Sequence, residues 1–153
     1  MKKLLSVILI FILCIAVTSC GKKEAQTQEE IVNPIRISIS ISDSENDDVT
    51  LENFEAIEKT EFTVEEDTNV LDATQLFCVS NEIPIELDSA GTYIVSMAGA
   101  GEKDVEATTG WIYTVNGEQL NVGANEKILK EGDEISWEFM SSDSENVPKF
   151  FKH

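Results

Sequence analysis

The chain has 153 residues, and 29 acidic side chains against 11 basic ones leave a formal net charge of −18. So negative a surface repels phosphate backbones, which excludes nucleic acid as a partner and disfavours direct adhesion to anionic lipid headgroups. The single histidine is the last residue, His153, so a Ser-His-Asp or Cys-His catalytic site and a His/Cys metal site are excluded; no pattern specifies an acid–base carboxylate pair, and the chain reads as a binding protein, not an enzyme.

Met1, Lys2 and Lys3 make a short positive start, and the 14 residues from Leu4 to Val17 are apolar apart from Ser6. A helix that spans a bilayer takes about 20 apolar residues, so this run has the size of a signal-peptide core. It closes with Val17, Thr18, Ser19, Cys20 and Gly21. The segment resembles the lipobox of bacterial lipoproteins, with Val17 where Leu is usual and Thr18 where Ala or Ser is usual. The resemblance implies a signal peptide over 1–19, cleavage before Cys20 and lipidation of its thiol. That would leave the protein on the extracytoplasmic face of the cell membrane. Each buried acyl methylene contributes roughly 0.8 kcal/mol, so the two or three chains of such an anchor dissociate slowly. Removal of 1–19 takes Lys2 and Lys3 with it, and −18 becomes −20. Cys14 leaves too and Cys20 is lipidated, so Cys78 has no disulfide partner and the fold must rest on an apolar core.

From Gly21 to Glu30 no apolar side chain exceeds Ala25, and such a segment cannot offset the entropy of its own ordering. It reads as a flexible tether over 20–34, with a reach of roughly 20 Å. Ile35, Ile37, Ile39 and Ile41 then alternate with Arg36, Ser38, Ser40 and Ser42, the period of a half-buried strand. Thr60–Val64 predicts a second strand. The apolar residues Val70, Leu71, Ala73, Thr74, Leu76, Phe77 and Cys78 recur at helical spacing, with Asp67 or Thr68 as the expected cap. Pro84–Leu87 reads as a short extended piece and 89–91 as a turn. Tyr93, Val95 and Met97 alternate as a strand, and a glycine-rich loop with Gly99 and Gly101 follows. Trp111, Tyr113 and Val115 share one face of the next strand, and Asn116-Gly117 is a hairpin signal because both residues tolerate positive φ. Val122–Leu129 predicts an irregular strand, 131–133 a turn, and Ile135, Trp137 and Phe139 a final strand. The expected domain therefore covers 35–140, with a polar tail over 141–153. One helix packed on one face of a mixed sheet is an α+β layout.

The run GWIYTVNGE at 110–118, with Val122-Gly123-Ala124, Gly132-Asp133 and Trp137, is similar to the bacterial domain family that resembles the C-terminal domain of transcobalamin. The resemblance covers about 35–139 and implies a β-grasp-like fold. In transcobalamin-type proteins this domain closes over a cobalamin held partly by a helical domain, which has no counterpart here. Two functional expectations follow: a binding module for a cobalamin-like or other small planar ligand, and a cell-surface protein-interaction or adhesion module with no small-molecule ligand.

Trp111, Tyr113, Trp137 and Phe139 are the candidate ligand platform, because aromatic faces bury large area at low entropic cost; Asn116 is a further candidate ligand-binding residue. The alternative is that these rings fill the core. The pentapeptide SDSEN occurs at 42–46 and again at 142–146. In a β-grasp sheet the first and last strands are neighbours and parallel, which would gather Asp43, Glu45, Asp47, Asp48, Asp143 and Glu145 at one edge. Such oxygens suit Ca²⁺, although Asp48 stands where an EF-hand loop needs glycine; the alternative is solvated, mutually repelling loops.

Overall fold

The computed structural model describes residues 31–43, 51, 53–102, 104 and 108–141. The expected signal peptide, Cys20, the tether to residue 30 and the segment after Ser141 lie outside them. The first strand, β1 (Pro34–Asp43), follows from the isoleucine alternation. Ile37, Ile39 and Ile41 are buried on one face, while Ser40 donates to Ser136 on the other at 3.1 Å. β2 (Ile57–Glu65) returns antiparallel to it.

The helix α1 covers Val70–Ser80. Its cap is Asn69, not Asp67 or Thr68: Asn69 Oδ1 accepts the Asp72 N–H at 2.8 Å. The two expected caps are used one step earlier, in the turn leaving β2. Asp67 takes a positive φ there, and the Thr68 hydroxyl donates to the Glu65 carbonyl at 2.7 Å. The helix ends in a Schellman arrangement, with Ile83 N–H donating to Cys78 O at 2.9 Å.

A small sheet follows, of β3 (Ile85–Leu87), β4 (Ile94–Met97) and β5 (Ala100–Gly101). The expected common face of Tyr93, Val95 and Met97 is not formed. Leu87 pairs with Ile94 and Glu86 with Ser96, so Val95 is an extra residue. Such a bulge shifts the side-chain phase, and Ile94 and Met97 are the buried pair. Ala98 and Gly99, both at positive φ, make a two-residue turn from β4 to β5. Gly99 is needed there for space too, since a Cβ would lie 2.2 Å from the Asn53 carbonyl oxygen.

β6 (Thr109–Val115), β7 (Glu118–Gln119) and β8 (Glu134–Ser141) complete the main sheet. Its order is β2-β1-β8-β6-β7. β1 and β8 run parallel in its centre and the other pairs are antiparallel. The segment Val122–Leu129, expected as a strand, forms none beyond one isolated bridge between Asn69 and Ile128. It turns instead and offers its carbonyls to the helix start: Val70 N–H donates to Lys127 O at 2.9 Å and Leu71 N–H to Ala124 O at 3.0 Å. These are donors that a helix leaves unpaired within itself.

The core lies between the inner face of this sheet and α1. Ile39 stands opposite Ile135, Ile41 opposite Trp137, Trp137 opposite Tyr113 and Phe139 opposite Trp111. Val70, Leu71, Ala73, Thr74, Phe77 and Cys78 of the helix cover them. The fold is thus α+β, a β-grasp-like mixed sheet with one packed helix. Among the described residues, no helix is long and apolar enough to cross a membrane.

Candidate functional site

The strand β7 has two residues, paired with Thr114 and Val115 only. β6 is longer, and the chain leaves the sheet at Leu120. A cleft of about 450 Å³ opens where β7 stops. Trp111, Ile112 and Tyr113 of β6 form its floor, residues 119–124 one wall and Thr92, Tyr93 and Ile94 the other; Leu71 and Trp137 close its depth. Pockets for small ligands run from roughly 300 to 1,000 Å³, with apolar walls and few polar groups, and this cleft has that character.

Side chains alternate across a strand, so Trp111 and Tyr113 reach the cleft from the inner face and Ile112 from the outer face. Gln119, opposite Thr114, is on the outer face as well. The cleft therefore straddles the edge of the sheet. Backbone groups alternate likewise, turning to one neighbouring strand or the other. Asn116 N–H donates to Glu134 O of β8 at 2.8 Å, so Thr114, Ile112 and Gly110, in step with it, also turn towards β8. Val115, Tyr113 and Trp111 turn away. Val115 meets β7; Trp111 has no strand beside it on that side among the described residues.

The aromatic rings spend their polar groups inside the protein. Trp111 Nε1–H donates to Ala100 O at 3.2 Å, Trp137 Nε1–H to Thr74 Oγ1 at 2.9 Å, and Tyr113 O–H to Val122 O at 2.8 Å. Trp111 packs edge-on against Phe139 at 5.2 Å, and Tyr113 lies 5.3 Å from Trp137. What these rings offer a ligand is apolar surface. Burial, then the charge of Glu126, raises the pKa of Tyr113; burial, then Glu102, raises that of Tyr93. Both phenols stay protonated at neutral pH, and the nearby carboxylates disfavour an anionic ligand. Asp88 fixes the wall at Thr92 and Tyr93: its Oδ1 accepts their N–H groups at 2.7 and 2.9 Å. Gln119 differs from the rest of the lining, because its Nε2 is sealed from solvent and meets no acceptor among the described residues. A buried donor left so costs on the order of 1–3 kcal/mol.

Residues 67–141 match the family model of the domain of unknown function DUF4430. That span is just under half the chain and contains every residue lining the cleft. No curated protein matches the chain. Among solved structures, haptocorrin in complex with Cbi is similar, with a TM-score of 0.54 at 21% identity over 73% of this chain. The alignment takes in 26% of haptocorrin, so the chain spans about a quarter of that protein's length. A protein of Ruminococcus gnavus ATCC 29149, described provisionally as metal binding, aligns over 70% of this chain and 97% of its own at 17% identity, with a TM-score of 0.45. The haptocorrin likeness is one of fold.

Of the residues expected as a ligand platform, Trp111, Tyr113 and Trp137 are brought together at the cleft, each more than nine-tenths buried, while Phe139 lies behind Trp111 in the core and does not line it. The three at the cleft are core and wall at once. Asn116 stands apart in the hairpin turn, where its Oδ1 accepts the Glu134 N–H at 3.0 Å and its Nδ2 donates to Asp133 at 2.9 Å. Of the acidic group, Asp43 ends β1 beside Phe139; Glu45, Asp47, Asp48, Asp143 and Glu145 lie outside the described residues. Among the described residues no three His, Cys, Asp or Glu side chains gather as a metal site. Sequence reasoning missed Tyr93, Gln119 and Val122. The brevity of β7 creates their cleft, and no residue pattern after Asn116-Gly117 announces where that strand ends.

Proposed function

We propose that the chain is a binding module that holds a small planar ligand with an apolar body in the cleft beside β6, at the outer face of a bacterial cell membrane. The observation that carries this reading is an apolar, aromatic-walled cleft whose tryptophan and tyrosine polar groups are already engaged within the protein. A cobalamin-like molecule is the ligand to try first, since the fold is shared with part of haptocorrin, which is seen with Cbi. The cleft is too small to enclose a corrinoid, so such a ligand would be gripped at one edge. The reading assigns the chain no chemical step.

Tryptophan fluorescence of the full chain, titrated with cobalamin and corrected for its absorbance, tests this. Saturable quenching is expected, because Trp111 and Trp137 both line the cleft. Truncating them would open the core at a cost of about 3–5 kcal/mol, so the informative variant is Val122→Trp. Val122 is 45% exposed on the cleft wall, and the larger ring would fill the mouth. Affinity should fall at least about tenfold, equivalent to roughly 1.4 kcal/mol, with the melting midpoint unchanged. Saturation of equal strength in Val122→Trp would move the ligand elsewhere.

The anchor belongs to the same reading. It rests on the signal-like residues 1–19 and on Cys20. Mass spectrometry of the mature N-terminus should find acyl chains on Cys20, and Cys20→Ser should shift the protein from the membrane to the soluble fraction. A protein-interaction module is the second reading. It is favoured by the helix face that exposes Leu76 at 52% and Val79 at 67%.

A further inference from the structure

The charge around the cleft is of one sign. Among the described residues its lining holds no Lys, Arg or His and no Asp or Glu, yet a carboxylate stands behind the wall on either side. On one side, a Cβ placed on Gly110 would lie 3.1 Å from Tyr93 Oη and 3.8 Å from Glu102 Cγ, so the two side chains converge there. On the other, a Cβ on Gly123, which lines the cleft, would lie 4.0 Å from Glu126 Cγ. Both charges are felt at the walls: after burial, Glu102 is the cause that raises the pKa of Tyr93, and Glu126 that of Tyr113. The ion pairs among the described residues, Arg36–Glu131 and Lys59–Glu134, involve no lining residue, and Lys127, next to Glu126, pairs with no carboxylate among them. A charge need not touch a ligand to select it. A field crosses a low-dielectric wall with less loss than it crosses water, so both carboxylates bear on an occupant that meets only apolar atoms. The reachable aromatic surface acts in the same direction. Tyr93 lines the cleft and is 41% exposed, and the negative face of its ring attracts a cation lying over it.

We propose that the ligand of this cleft is an organic cation, an apolar planar body bearing a quaternary or delocalised positive charge, drawn by Glu102 and Glu126 and held against the Tyr93 ring. The proposal rests on the reading of the cleft as a ligand site and names the chemical class that the site selects. A charge of this kind is weakly hydrated, so it enters an apolar cleft at lower cost than a compact ammonium. Glu102 and Glu126 set specificity through space, and Tyr93 is the surface the ligand covers.

The test uses two soluble planar probes of nearly equal size: 1-methylquinolinium, a cation, and 4-methylquinoline, which is neutral at slightly alkaline pH. The full chain in zwitterionic lipid nanodiscs, labelled with ¹⁵N, is titrated with each while backbone amide signals are followed, and empty nanodiscs correct for probe taken up by lipid. The cation should shift the Tyr93 and Val122 amide signals and bind about fivefold more tightly than the neutral probe. The probes differ in hydration as well as charge, so the decisive comparison is within the protein. Glu126→Gln and Glu102→Gln should each weaken the cation about threefold and leave the neutral probe unchanged, which also shows that the variants are folded. Glu61→Gln lies on β2, at the opposite edge of the sheet from β7; it changes the net charge by the same amount and should alter neither affinity. Salt raised from about 0.05 to about 0.5 M should weaken the cation alone. A cation that perturbs no cleft residue, that keeps its affinity in both Glu102→Gln and Glu126→Gln, or that loses as much in Glu61→Gln overturns the inference, while binding of the neutral probe or of cobalamin there keeps the cleft as a ligand site. If neither probe nor cobalamin perturbs any cleft residue, the cleft reading itself is lost and the inference goes with it.

Discussion

Thr74 is a fully buried polar residue in the middle of a helix. Its hydroxyl donates to Val70 O at 2.7 Å and accepts the Trp137 Nε1–H at 2.9 Å. One side chain thus ties the helix to the central strand and settles the polar end of a buried indole. Thr74→Val keeps the shape and strands that N–H, so chemical denaturation should show a loss of about 1–3 kcal/mol. Thr74→Ser keeps the bond and should lose less. Cys78 lies one turn further along, and burial pushes its thiol up to about 11; it is an inert part of the core, as its place in an apolar helical stretch suggested. Asp88 acts at the surface. The N–H of Thr92, the strongest of several hydrogen bonds it accepts, lowers its pKa. A carboxylate whose folded pKa is depressed contributes stability above its unfolded value of about 3.9, and that stability is lost as pH falls through the lower folded value. Amide exchange at Thr92 and Tyr93 should therefore stay slow down to the ordinary carboxylate range and quicken below it. Asp88→Asn should remove that pH step.

The elements show which signals a sequence carries plainly. β1, β6 and β8 were legible because each has one buried face and strict alternation over six or more residues. The Asn116-Gly117 turn was legible because its residue types match its backbone. The end of α1 was not. Its left-handed position after the last turn is held by Glu82, at φ 58, where glycine is the usual mark. Glu82→Gly should relieve that strain and raise stability by about 0.5–1 kcal/mol, read from the denaturation midpoint. β4 misled for a different reason: the bulge at Val95 inverts the phase, and an alternation count cannot register an extra residue. The segment from Val122 to Leu129 places Gly, Ala, Asn, Glu and Lys between its few large apolar residues, a composition poor in strand formers, and its carbonyls at Ala124 and Lys127 serve the first helical amides instead.

At the scale of the whole molecule, the sequence disclosed the layers and left the cleft hidden. The layers follow from which residues are apolar, a local property. The cleft follows from where a two-residue strand stops, which depends on the chain beyond it turning towards the helix. The parallel pairing of β1 with β8 has its own consequence. Ser40 and Ser136, bonded across that pair, are 96 residues apart in the chain. β1 can pair with β2 early, but its other neighbour is the last strand made, so the sheet beside Ile39 and Ile41 stays open until β8 is complete. Contacts of such long sequence separation place folding among the slower single domains. Under the proposed export such a delay would be useful: the chain could be threaded through a translocation channel before the sheet closes, and would complete its core on the far side when β8 arrives.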